Sequence, residues 1–191
     1  MLFRSVRFDG RELVVDGARG EQAHLWGTSH AGRWGWLHAV ELATLEGEAR
    51  PQDWIDLVSV VVPRAGREVG PVTPVVGRLL GDEFRAVGPV SLLRNRCAFG
   101  LSGLEATART RTRKVVVHAT APPATQVGVR YDDPDGTNVW CANTALGDAR
   151  IWVWDRRGTG WMLRETLEAR GTAHVEYAQR APIPGVAVDV P

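Results

Sequence analysis

The residues best suited to chemistry lie in one run, His24 to Glu41, which reads HLWGTSHAGRWGWLHAVE. Successive side chains of an extended chain point to opposite faces. His24 and Trp26 therefore share a face of one strand, and Trp34, Trp36 and His38 share a face of the next. Two neighbouring antiparallel strands would present three indoles and two imidazoles to one side. Gly27, Gly32 and Gly35 remove side chains between them, admitting a tight turn and the close approach of another group. Two readings fit. One is a Trp-rich core whose histidines hydrogen-bond to backbone. The other is a pocket whose indole faces bind an apolar or cationic species and whose imidazoles move protons. His24, His30 and His38 also offer three nitrogen ligands. His30 falls in a turn, however, and no paired-histidine helix or Cys/His motif accompanies it, so a metal site is the minority option.

Other chemistries lack their signatures. There is no G-x-S-x-G elbow and no glycine-rich phosphate loop between a strand and a helix. Cys97 and Cys141 fit neither a metal spacing nor a disulfide framework and are expected as small, reduced core residues. With 23 Lys+Arg against 22 Asp+Glu, no global field draws the chain to nucleic acid or to an anionic membrane. No apolar run nears the roughly 18 residues of a membrane span, and MLFRSVRFDG has no leader-like apolar stretch, so a cytoplasmic chain is expected.

The elements that must carry these residues are strands. Val outnumbers Leu 25 to 16, and period-two alternation dominates. Residues 2–8 and 11–16 flank Asp9-Gly10, a hairpin signal. Further strands are expected at 21–27, 33–43, 55–63, 74–80, 83–88, 104–120, 125–132, 138–144, 149–155, 161–167 and 172–178. Turn chemistry at Gly81-Asp82, Asp132 to Gly136, Gly147-Asp148, Arg157-Gly158 and Arg170-Gly171 separates most of them. A short helix is expected within 45–56. A dozen strands with short connections predict a single all-β domain over residues 1–191, an antiparallel barrel or sandwich. Along 104–118, Arg109, Arg111 and Arg113 fall on one face, which must meet water. Ala106, Ala108, Thr110, Thr112, Lys114, Val116 and His118 then point inward. Trp152 and Trp154 share a face opposite Ile151 and Val153, a wall apolar on both sides, and Trp140 is a further candidate for the same pocket.

Taken together, His24-x-Trp26-Gly27, His30, Trp34-x-Trp36-x-His38, Tyr131-Asp132-Asp133-Pro134-Asp135-Gly136, Cys141-x-Asn143 and Glu176-Tyr177-Ala178-x-Arg180 resemble the carotenoid 1,2-hydratase/AttH-like family. That group is lipocalin-like and related to tocopherol cyclases and to cyclases that include Diels–Alderases. Its members have two barrel-like halves, and this chain resembles the C-terminal half over most of its length. The resemblance implies a lipocalin-like antiparallel β-barrel enclosing a hydrophobic polyene, prenyl or polyketide-like molecule. It implies a cofactor-free cyclase, isomerase or hydratase, with a non-catalytic carrier as the alternative. Protonation of an alkene gives a carbocation that indole faces stabilise in a dry cavity, with a general acid supplying the proton. His24 and His38 are the expected proton-moving groups, Asp53 the first carboxylate candidate and Glu176 the second. Trp26, Trp34, Trp36, Trp140, Trp152 and Trp154 are the expected walls. No carboxylate obviously shares a strand face with the Trp cluster, which favours a pericyclic route controlled by positioning. A homodimer, one barrel standing in for the family's other half, is the expected assembly.

Overall fold

The computed structural model describes residues 5–14 and 29–190. Ser5–Phe8 (β1) and Arg11–Val14 (β2) form the hairpin expected around Asp9-Gly10, in register from Ser5↔Val14 to Phe8↔Arg11. Asp9 and Gly10 both adopt positive φ, 48° and 71°, as a tight hairpin turn of matching twist requires.

The other strands belong to one large sheet. They are Arg33–Ala39 (β3), Leu42–Thr44 (β4), Ala49–Arg50 (β5), Trp54–Arg64 (β6), Arg67–Val72 (β7), Val75–Leu79 (β8), Asp82–Ala86 (β9), Arg96–Gly100 (β10) and Gly103–Arg109 (β11), followed by Arg113–Thr120 (β12), Val127–Asp132 (β13), Asn138–Arg157 (β14), Gly160–Gln179 (β15) and Val188–Val190 (β16). The main path runs β10-β11-β12-β14-β15-β3-β6-β8-β9, and β4, β5, β7, β13 and β16 pair off it. Pairing among the described residues is antiparallel except between β13 and β16. The protein is all-β with antiparallel sheets. Its α-helix, Pro89–Arg94 (α1), joins the two end strands of the path. No helix among the described residues is long and apolar enough to cross a membrane.

One face of this sheet packs on itself. Leu37, Ile55, Leu57, Val75, Phe84, Leu104, Val115, Val117, Ile151, Val153, Leu167 and Val175 form one contiguous core, each at most 3% exposed. Residues from opposite ends of the strand order, Phe84 of β9 and Leu104 of β11, share it, so the sheet must curl over. Each such side chain contributes about 1.5–3 kcal/mol of burial. Asn95 ties the two ends. Its Nδ2 donates to the carbonyls of Thr73 (2.7 Å) and Ala86 (2.9 Å), and its Oδ1 accepts from the Arg109 amide (3.3 Å).

Three expectations are corrected. Residues 104–120 are two strands: Thr110 Oγ1 accepts the amides of Thr112 and Arg113, turning the chain without glycine or proline. The turn resets the alternation. Ala106 and Ala108 face inward as expected, but Val115, Val117 and Ala119 face inward after it, while Lys114, Val116 and His118 do not. Arg113 therefore turns away from water and ion-pairs with Asp82 and Asp155. Residues 45–56 form turns and strand, with Thr44 Oγ1 accepting the Glu48 amide, and the α-helix lies at 89–94. Finally, 138–157 and 160–179 are continuous. Gly147-Asp148 sits in register shifts of the β14–β15 ladder, and Asp148 Oδ1 accepts the Gly171 amide (2.7 Å). These residues serve as bulges that bend a long hairpin and do not end its strands.

Candidate functional site

A second cluster lies on the sheet face opposite the core. Alternation along β3 sends Leu37 and Ala39 into the core and Trp34, Trp36 and His38 to the other side. Directly paired residues share a face, so β3 meets Glu176 and His174 of β15 on one flank. On the other it meets Asp56, Val58 and Val60 of β6. Past β15, Val139 and Cys141 of β14 and Val129 and Tyr131 of β13 extend the surface, and Trp34 packs on Val139, Cys141 and Ala178. The three aromatic and histidine residues of β3 do share a face. It is the outer face of the curled sheet, since the inner one is filled by the core.

Three polar networks order this surface. In the first, Trp36 Nε1–H donates to Asp56 Oδ2 (3.1 Å), and His38 Nδ1 lies 3.1 Å from the same oxygen. The His174 ring stands 4.5 Å from that of Trp36. Burial lowers the His174 pKa from its ordinary value; His38 lowers it further, while Glu176 and Asp56 oppose the shift. Its Nε2 is buried without a hydrogen-bond partner among the described residues. Burial thus favours the neutral over the charged form of this imidazole.

In the second network, Trp34 Nε1–H donates to Glu176. Burial above all, with Cys141 and Glu176 beside it, pushes the Tyr131 phenol up to about 12. Burial and Glu176 likewise raise the Cys141 thiol well above the usual thiol range. Both groups stay protonated beside Glu176 and serve as neutral donors.

The third is a clasp. Asp133 accepts the His30 amide (3.2 and 3.1 Å), the His30 ring and Arg180 Nη1 (2.6 Å). Arg180 also reaches Thr137 Oγ1 (2.6 Å) and the His30 carbonyl. Burial raises the Asp133 pKa, but the hydrogen bonds from His30 and Arg180 outweigh it and hold the carboxyl at about 2. The clasp sets the His30 ring nearly parallel to Trp34 (5.6 Å, 18°) and Tyr131 (5.2 Å, 23°).

The remaining candidates fall elsewhere. His24 and Trp26 lie outside the described residues. Asp53 is buried, and its carboxylate accepts the Leu80 (2.8 Å) and Gly81 (3.1 Å) amides, closing the β8–β9 turn. The carboxylates beside the Trp cluster are instead Asp56 and Glu176. Trp140 alternates with Val139 and Cys141 and takes the other face of β14. Trp152 and Trp154 sit at the far end of β14, half-buried opposite Ile151 and Val153, with Lys114 Nζ 4.2 Å over the Trp154 ring. They do not join the cluster. The sequence reading missed Asp56 and His174. Both carry a legible signal: each alternates with apolar neighbours, in WIDLVSV and AHVEY, on the strand that flanks β3.

No protein-family model matches the chain, and no solved structure matches it significantly. Two curated proteins are similar: "Uncharacterized protein MT0513" of Mycobacterium tuberculosis (strain CDC 1551 / Oshkosh) and "Uncharacterized protein Rv0493c" of Mycobacterium tuberculosis (strain ATCC 25618 / H37Rv). Each is 32% identical over 164 residues, covering 83% of this chain and 46% of its own length. The chain thus spans about half the length of the curated relatives it matches.

Proposed function

We propose that the curled sheet is a lipocalin-like β-barrel whose outer aromatic face, not its packed interior, holds a hydrophobic polyene, prenyl or polyketide-like small molecule. On that face it acts as a cofactor-free cyclase, isomerase or hydratase. One observation carries the reading. Trp34, Trp36, Tyr131, His30, His174 and Glu176, from three separate stretches of the sequence, converge on one surface, where their rings stack or tilt against one another and Trp34 hydrogen-bonds to Glu176. Most of them belong to the motifs that resemble the carotenoid 1,2-hydratase/AttH-like family.

The geometry favours proton transfer over a purely pericyclic route. Two carboxylates, Asp56 and Glu176, share the Trp face, contrary to the expectation from the sequence. In the proposed reaction an acid on this face protonates an alkene carbon; the π pair becomes the new C–H bond and the neighbouring carbon becomes cationic. The half-buried ring of Trp36, backed by the buried Trp34, stabilises that cation. Attack of a second alkene on that cation forms the ring bond and moves the positive charge to the far alkene carbon; loss of a proton to His174 then ends the cyclase path, and the same loss without ring closure ends the isomerase path. Capture by water ends the hydratase path. A second copy of this chain packed on the face would exclude bulk water from it, and the match takes up 46% of each curated relative, leaving a remainder of similar length.

The test is product analysis by mass spectrometry after incubating the protein with a panel of polyenes and prenylated compounds. Conversion is expected for at least one class. Glu176→Gln and His174→Gln should still bind that compound but turn it over about a hundredfold more slowly. Unchanged turnover in both variants would refute the assignment. Binding without conversion by the unaltered protein would instead establish the carrier.

A further inference from the structure

Away from this face, at the end of the β14–β15 hairpin, a groove of about 550 Å³ is lined by Arg94, Arg109, Thr110, Arg111, Arg156 and Trp161. Three separate elements deliver the cations: the last turn of α1, the β11–β12 turn, and the end of β14. Arg156 lies 5.3 Å over the Trp161 ring, and Lys114 Nζ lies 5.8 Å from the same ring. None of the four guanidiniums has a carboxylate partner among the described residues. The nearby acids are engaged by others: Asp155 by Arg113 (3.0 Å) and Arg164 (3.3 Å), and Asp82 by Arg113 (3.1 Å) and Arg164 (3.4 Å). Four like charges around one small groove repel one another in the free protein, and a bound anion relieves that cost.

We propose that this groove is a binding site for a small molecule carrying a diphosphate group. Guanidinium forks match phosphate oxygens two at a time, and four of them suit the charge of a diphosphate better than that of one carboxylate. The volume falls within the range of small-molecule sites, about 300–1,000 Å³. A long nucleic acid strand is disfavoured because the excess of positive charge does not continue into the adjoining groove, where Asp82, Glu83 and Asp155 offset Arg113, Arg156 and Arg157. Trp161 supplies an apolar edge for whatever the diphosphate carries. The site is independent of the Trp34–Glu176 face, and neither proposal needs the other.

The probe is inorganic pyrophosphate, titrated calorimetrically into the full chain at 0.05 M and 0.15 M salt. Pyrophosphate should bind at least tenfold more tightly than sulfate at matched ionic strength, and more weakly at the higher salt. An Arg109→Gln/Arg111→Gln double variant should lose at least tenfold of that affinity. Arg85→Gln, an exposed arginine on β9, should lose none. Parallel titrations with ADP and an alkyl diphosphate identify the source: tighter binding of the first assigns a nucleotide, of the second a prenyl-type chain. Pyrophosphate binding no tighter than sulfate would overturn the proposal, as would an unaffected double variant that keeps its circular dichroism spectrum. A single-stranded oligonucleotide that outcompetes pyrophosphate at 0.15 M salt would also overturn it, in favour of nucleic acid.

Discussion

Replacing Arg113 by methionine removes a guanidinium that is only 10% exposed. Its Nε reaches Asp155 Oδ1 (3.0 Å), its Nη2 reaches Asp82 Oδ2 (3.1 Å), and its Nη1 donates to the Leu79 carbonyl (3.2 Å). Breaking a fully buried ion pair from one side costs about 3–5 kcal/mol. Two features reduce that figure here. Asp82 is 60% exposed, so solvent screens its pair and it adds little, and Arg164 still faces both carboxylates after the change. The orphaned Leu79 carbonyl adds about 1 kcal/mol. A loss of roughly 2–3 kcal/mol follows, or about 5–10 °C in Tm for a chain of this size. Urea unfolding should show a lower midpoint with an unchanged slope. Arg113→Lys should recover only part, since it keeps the charge and loses the fork. Hydrogen bonding and the charge of Arg113 hold the Asp82 pKa below its ordinary 3.8. A depressed carboxylate stabilises above its unfolded pKa and loses that contribution as pH falls through the folded value. The gap between the parent protein and the variant should therefore narrow below about pH 4. A loss under about 0.5 kcal/mol would refute the reasoning and put Arg113 in water.

Gly35→Ala should cost roughly 1–3 kcal/mol in urea unfolding, because the added Cβ would lie 2.6 Å from Phe99 Cβ; a neutral change would mean β3 does not press on β10. Asp133→Asn should lower Tm at pH 7. Because the Asp133 carboxyl titrates at about 2 against an ordinary 3.8, the deficit should persist down to about pH 4 and vanish toward pH 2. A deficit independent of pH would deny the His30–Asp133–Arg180 clasp its charge. Burial raises the Cys97 thiol to about 11 and carries the Cys141 thiol higher. Cys141, which is buried, should not react with Ellman's reagent at pH 8 in the native state, the half-buried Cys97 should react more slowly than in urea, and both should react in urea; fast native labelling of Cys141 contradicts its burial.

The sequence was most legible where side-chain alternation and local turn chemistry act alone. Asp9-Gly10 has few ways to turn, and its hairpin forms as expected. Trp34, Trp36 and His38 share a face because nothing interrupts β3 between them. Legibility failed where a turn hides in ordinary residues. Thr110-Arg111-Thr112 reverses the chain through one hydroxyl, and the reset parity moved Arg113 from the expected solvent face into an ion-paired pocket. It failed in the opposite sense at Gly147 and Gly171, where turn-like residues bend a continuous hairpin. The face chosen by the core is set by the curl of the whole sheet, so a strand-by-strand reading could place the Trp cluster on one side but not say which side was filled. Asp53 illustrates the same limit: only the β8–β9 turn arriving beside it shows that its oxygens cap backbone amides.

The central claim is that the Trp34–Trp36 face binds a hydrophobic ligand. The eight tryptophans offer a direct test, since each indole N–H gives its own signal in a nitrogen–proton correlation spectrum. A soluble polyene is titrated into labelled protein, with signals assigned by single Trp→Phe changes. The indole signals of Trp34 and Trp36 should shift progressively and saturably, while those of Trp140, Trp152, Trp154 and Trp161 stay in place. Shifts confined to the second set, or a saturating ligand that leaves Trp34 and Trp36 unmoved, would contradict the account.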